Sequence, residues 1–125
     1  ETKQTFLEKQ MSNRATVHFR QDDHEGAIVY RHSDGYPEGL GEDLKTFFAD
    51  VQAQTQDTRF DDPSYLAAKF VVWQASQYRR DNNMLDFLGV GVVLQDPGDI
   101  EFRYVVHCKD RDSVPQITIE RPERL

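Results

Sequence analysis

Residues 15–20 ("ATVHFR") alternate strictly, with Ala15, Val17 and Phe19 on one side and Thr16, His18 and Arg20 on the other. A period of two predicts a half-buried strand. The polar run 21–26 ("QDDHEG") reads as a hairpin connection, and 27–32 ("AIVYRH") resumes strand-type residues. Setting Arg20 opposite Ala27 pairs His18 with Val29 and Thr16 with Arg31. One face then carries Ala15, Val17, Phe19, Ile28 and Tyr30 and is the expected core face. The other carries Thr16, His18, Arg20, Val29 and Arg31 and is the expected wet face.

The period changes further on. Leu40, Leu44, Phe47, Phe48 and Val51 recur at helical spacing and predict a helix over about 40–54. Residues 54–61 read as a loop, and Asp62-Pro63 as an N-cap followed by proline at the first helical position. The helix predicted over 63–78 is apolar at Leu66, Ala67, Phe70, Val71, Val72, Trp73 and Ala75. So wide an apolar surface suggests a central helix covered on more than one side, with Trp73 and Tyr78 in the core and an end at 79–83.

Residues 87–94 ("FLGVGVVL") read as a buried strand whose glycines mark a bulge or close packing, and 95–99 ("QDPGD") as a turn. Alternation returns over 100–108, with Phe102, Tyr104, Val106 and Cys108 inward and Glu101, Arg103, Val105 and His107 outward. Residues 116–120 ("QITIE") make a last, edge strand. The order ββααβββ predicts an α+β fold, an antiparallel sheet with two helices packed on one face. It fills a single domain over 14–122. Residues 1–13 are an extension, either a short helix docking through Phe6 and Leu7 or a remnant ahead of Met11.

Composition narrows the class. A chain of 125 residues suits one core, and 38% hydrophobic with 30% charged residues is ordinary for a globular protein. A net charge of −7 opposes general affinity for nucleic acid or an anionic membrane, because phosphates attract basic surfaces. No apolar run approaches the roughly 20 residues of a membrane helix, and "ETKQTFLEKQ" lacks the plan of a secretory signal. The lone Cys108 excludes an intramolecular disulfide and suits a reducing cytoplasm.

The densest punctuation is "YRHSDGYPEGLGEDL", residues 30–44. A glycine-rich turn before a helix can bind phosphate, but this one lacks the Walker spacing and lysine. Glu38, Glu42 and Asp43 also occupy the positive end of the helix dipole and would repel an anion. The stretch reads as a strand-to-helix joint, with Arg31 leaving toward the outer sheet face while His32 and Tyr36 guard the end of the core.

Catalytic and metal chemistry find no pattern. Ser33 between His32 and Asp34, and Cys108 beside His107, have neighbours pointing apart along an extended chain. The histidines and the acidic pairs lack zinc or calcium spacing. No catalytic residue, metal or cofactor is therefore expected. The outer sheet face is more informative. It would gather Thr16, His18, Arg20, Arg31, Arg103 and His107, with Glu101 as a balancing acid, into a locally basic surface on an acidic chain.

The stretch "YRHSDGYPEGLGEDLKTFF" resembles a motif of small bacterial proteins of no assigned activity, carried by phages, prophages and other mobile elements. These show Tyr-Arg-His-x-Asp-Gly-Tyr-Pro-x-Gly before an amphipathic helix, and "GDIEFRYVVHC" resembles their turn followed by an aromatic strand. The pattern often has an aromatic residue where Ser33 stands, and residues 57–81 are longer than usual. The resemblance implies the fold and a mobile-gene setting, not a reaction.

The resulting expectation is a non-enzymatic accessory protein of a mobile element. It would bind an acidic protein surface or a small anionic ligand through Arg20, Arg31, His32, Asp34, Tyr36, Arg103, His107 and His18. One alternative is a nucleotide-like ligand or small-enzyme site on the Arg31–Tyr36 loop. Another is a homodimer formed through the sheet.

Overall fold

The computed structural model describes residues 13–78, 85 and 88–122. The expectations for residues 1–12, the helix end at 79–83, the Tyr78 side chain and Phe87 lie outside the described residues. Strands β1 (Ala15–Gln21) and β2 (His24–Arg31) form the expected hairpin. Asp22, at φ 53°, turns the chain within two residues, so β2 begins at His24. The pairing sets Ala15 opposite Arg31, Val17 opposite Val29 and His18 opposite Ile28, with a bulge between Phe19 and Arg20.

This register differs by one residue from the expected one, and a one-residue slip turns every β2 side chain over. Val29 and Arg31 face the core with Ala15 and Val17, while Ile28 and Tyr30 lie beside His18 and Thr16. Hydrophobicity could not choose between the registers, because Ile28 and Val29 are both buried. Both faces of β2 are covered.

A five-residue π-helical turn (Pro37–Gly41) follows, absent from the expected ββααβββ order, and runs into α1 (Glu42–Gln54). The stripe expected on this helix is buried, from Leu40 and Leu44 through Phe47 and Phe48 to Val51. Helix α2 (Pro63–Tyr78) is capped by Asp62, whose Oδ1 accepts the Tyr65 amide at 3.2 Å. Leu66, Ala67, Phe70 and Ala75 are buried, but Val72 is 63% exposed. The helix is therefore largely buried, as its wide apolar surface suggested, but open along one flank.

Strands β3 (Val90–Val93), β4 (Phe102–His107) and β5 (Gln116–Glu120) complete a five-stranded sheet in the order β3-β2-β1-β4-β5. The α+β class holds, but the sheet is mixed, because β1 and β4 run parallel. Residues 95–99, read as a turn, do not close a β3–β4 hairpin. β3 adds to the free edge of β2, β4 adds to that of β1, and the segment 94–101 crosses between them. β3 is consequently a partly exposed edge strand and not a buried one.

The core lies between the sheet and the helices. Phe47 meets Phe70 edge-on at 5.2 Å and Trp73 at 5.8 Å, and Phe70 lies 6.1 Å from Phe19. Each such aromatic pair adds about 0.5–1.5 kcal/mol beyond its buried area. The loop ahead of α2 is anchored as well. Phe60 is buried against Phe48 at 5.9 Å, and its amide donates to the Arg111 carbonyl at 3.2 Å.

Candidate functional site

The crossing segment 94–101 passes over the sheet face opposite the helices. That explains why Thr16, His18, Ile28 and Val105 are all buried although they turn away from the main core. The strand rows on this face set Tyr30, Thr16, Arg103 and Glu120 in one line, and Ile28, His18, Val105 and Thr118 in the next. Arg20 and His107 pair in a third line, beside Glu25.

The charges in these rows satisfy one another. His18 pairs through Nδ1 with the Glu25 carboxylate, and its Nε2 lies 3.5 Å from Asp96 Oδ2. Arg20 Nε donates to the other Glu25 oxygen at 2.5 Å. Arg103 grips Asp96 through Nε at 2.8 Å and Nη2 at 2.6 Å, and lies 3.4 Å from Glu120. Burial pushes the Asp96 carboxyl up, yet the Gly98 amide, the Arg103 guanidinium and His18 together hold it below the ordinary carboxylate range. Burial likewise opposes the Arg103 charge, and Asp96 and Glu120 outweigh it, raising the guanidinium further.

The predicted residues His18, Arg20, Arg103 and His107 therefore do share one face. That face is not the locally basic surface expected, since Arg20 and Arg103 meet Glu25, Asp96 and Glu120. His107 is engaged with the Thr118 hydroxyl at 2.8 Å. Glu25 and Asp96 were not singled out by sequence reasoning. Asp96 carried only a turn signal, and Glu25 sat in a stretch read as a polar connection.

Arg31 belongs elsewhere, because the observed register turns it inward. It is 3% exposed, and its Nη1 donates to Asp43 at 2.6 Å and to Gln74 Oε1 at 3.2 Å, while Nε donates to the Ser33 carbonyl at 2.9 Å. One guanidinium thus ties the end of β2 to both helices. His32 turns outward instead of guarding the core, with its Nδ1 3.1 Å from the Tyr30 hydroxyl.

The rest of the joint is scaffolding. The Gly35 amide donates to the Asn13 carbonyl at 3.0 Å, and a Cβ on Gly35 would stand 2.7 Å from that of Ala15. The buried Tyr104 hydroxyl donates to the Gly35 carbonyl at 2.6 Å, and burial raises its pKa. Asp34, at φ 56°, offers its carbonyl to the Leu40 amide at 2.9 Å. Burial and the Asp34 carboxylate push the Tyr36 hydroxyl up.

A third place has the shape of a binding site. Between α1 and α2 an open groove of about 860 Å³ is lined by Phe47, Val51, Tyr65, Val72 and Trp73, among others. The Trp73 indole donates to Asp50 at 2.8 Å, which fixes the ring along the groove. At one end the Arg59 guanidinium sits 4.5 Å from the centre of the Tyr65 ring. Nearby, hydrogen bonds from Arg111 and Arg59 hold the Asp57 carboxyl below its usual range. Sequence reasoning placed Trp73 in the core and so missed this groove. The width of the apolar stripe on α2, read there as a helix covered on more than one side, was the signal that pointed to it.

Among the described residues, no group of three or more His, Cys, Asp or Glu side chains could hold a metal ion, and no helix is long and apolar enough to cross a membrane. Compared with known proteins, the chain matches no family model, no curated protein and no solved structure.

Proposed function

We propose that the chain is a non-enzymatic binding protein, of the kind carried by mobile genetic elements, and that it takes a protein partner in the groove between α1 and α2. The observation that carries this reading is the groove itself. It leaves Tyr65 47% and Val72 63% exposed beside a half-buried Trp73. Such a strip suits the apolar face of a partner helix or an extended segment, with Asp50 and Lys69 at its margin to orient it. A small anionic ligand has less in its favour. Arg20, Arg31 and Arg103 each already meet a carboxylate. The motif in residues 30–48 supports the mobile-element setting, and integrase or defence genes beside the coding gene are the expected neighbourhood.

Trp73 is the sole tryptophan, so its fluorescence reports on the groove directly. The experiment captures a partner with the wild-type chain, purifies it, and titrates it against wild type and Val72→Glu. Wild type should show a saturating change in Trp73 emission. The variant should bind on the order of tenfold more weakly or worse, because a carboxylate would be desolvated at the contact. Coincident isotherms, or a tight complex that leaves Trp73 emission unchanged, would move the partner off this groove.

A further inference from the structure

The alternation of β1 places His18 on the sheet face that segment 94–101 covers, in one row with the buried Ile28 and Val105. Apolar side chains thus flank the ring on both sides, and it is 5% exposed. Its two nitrogens meet carboxylates from two distant parts of the chain. Nδ1 pairs with Glu25 of β2, and Nε2 lies 3.5 Å from Asp96 Oδ2 in the crossing segment. A neutral imidazole has one N–H and one lone pair, so it can serve only one of these acids. Whichever nitrogen keeps the proton, the other turns a buried lone pair toward a carboxylate, which costs free energy. The imidazolium has a proton for each.

Charge balance points the same way. In the His18 row and the rows beside it, Arg20 shares Glu25 with the ring, and Arg103 holds Asp96 and Glu120. Three carboxylates thus meet two guanidinium groups, and a charged His18 balances the cluster. The other titratable groups here are turned elsewhere, His107 to the Thr118 hydroxyl and Tyr30 to His32. We propose that His18 is a proton-controlled latch on the crossing segment. Charged, it fastens Asp96 over Ile28 and Val105; neutral, it gives up that hold and lets the segment open.

The hold is present on the acid side of the ring's titration and is lost as pH rises through it, because only the protonated ring faces both acids with donors. Asp96 itself is held below the ordinary carboxylate range and keeps its charge meanwhile. Arg103 still grips Asp96, and Arg14 meets Asp99 at 2.8 Å beyond it, so the segment lifts without detaching. Two amides report on that lift. Gly98 donates to Asp96 Oδ1 at 2.9 Å and Glu101 to the Arg14 carbonyl at 2.8 Å. The latch lies on the sheet face opposite the helices, so it stands or falls apart from the α1–α2 groove and its partner.

The test is amide hydrogen exchange, read residue by residue by NMR between about pH 5 and pH 8, where histidine changes charge. Protection factors remove the intrinsic pH dependence of exchange. In wild type the protection of Gly98 and Glu101 should stay below that of the core strands, which marks local opening. It should fall on the order of tenfold as pH rises, as expected for one charge-assisted contact. The midpoint should coincide with the titration of the His18 ring resonances, a comparison that needs no variant. His18→Gln, checked for folding by circular dichroism, should show no such fall. A flat wild-type profile overturns the proposal. So does a fall that persists in His18→Gln or follows the ring of His24, His32 or His107. Exchange of Gly98 and Glu101 at the protection of β1 and β4 would also overturn it, since the segment would then open only with the whole fold.

Discussion

Arg31 shows how a single side chain can be legible in kind and not in place. The expected hairpin register, with Arg20 opposite Ala27, set it on the wet face of a strand. Its partners Asp43 and Gln74 lie 12 and 43 residues further on, beyond the reach of any local pattern. Gly35 is the contrary case. The sequence marks it as a bend, and the 2.7 Å approach of Ala15 to a Cβ placed there supplies the reason. The burial of Arg31 leads to an asymmetric prediction. Its side chain is 3% exposed, whereas that of Asp43 is 32% exposed. Removing Asp43 takes a carboxylate from a buried guanidinium, while removing Arg31 leaves a carboxylate that water can reach. Asp43→Ala should therefore cost about 3 kcal/mol, and Arg31→Met less, about 1–2 kcal/mol. Urea unfolding of both variants measures the order, and a larger loss for Arg31→Met would contradict this account.

The same contrast holds for whole elements. Both helices, the hairpin and the later strands were readable from period and capping, because each element's own residues carry that information. How the strands associate was not. A parallel connection usually needs a dozen or more residues, so a segment as short as 94–101 reads as a hairpin turn. Here it crosses the sheet, and Asp96 fastens it to Arg103 and His18. Because the Asp96 carboxyl is held below its ordinary range in the folded chain, it contributes stability above the unfolded-state pKa of about 3.9. That contribution is lost as pH falls through the lower folded-state value. Asp96→Asn should thus cost about 1–2 kcal/mol at neutral pH through weakened charge-assisted hydrogen bonds. The gap to wild type should narrow as pH falls below about 3.9 and close once pH has passed the lower folded-state value, where both proteins carry a neutral side chain. Denaturant midpoints at neutral pH and at low pH check this, and a gap of constant size would sink it.

At the scale of the molecule, one thiol can report how the fold opens. Cys108 is fully buried just after β4, its amide donates to the Arg20 carbonyl at 2.8 Å, and it belongs to the main core. Burial, with Asp61 and Asp62 nearby, pushes the thiol up to about 12. In the folded chain at neutral pH it is therefore both shielded and protonated, and only the thiolate reacts. Around it the sheet, the anchored loop ahead of α2 and the crossing segment are joined by Arg31, Phe60 and Asp96. The bond from its amide to the Arg20 carbonyl places Cys108 at the end of the β1–β4 seam, so exposing the thiol is expected to require that seam to part. Labelling by a disulfide reagent should be negligible in native buffer. Its rate should rise with urea along the slope given by global unfolding, because the exposed population is then the unfolded one. Asp43→Ala should accelerate labelling in native buffer by the factor that its loss of stability predicts, roughly a hundredfold for about 3 kcal/mol. Rapid labelling without denaturant, or a slope shallower than that of global unfolding, would mean that the β1–β4 seam opens by itself.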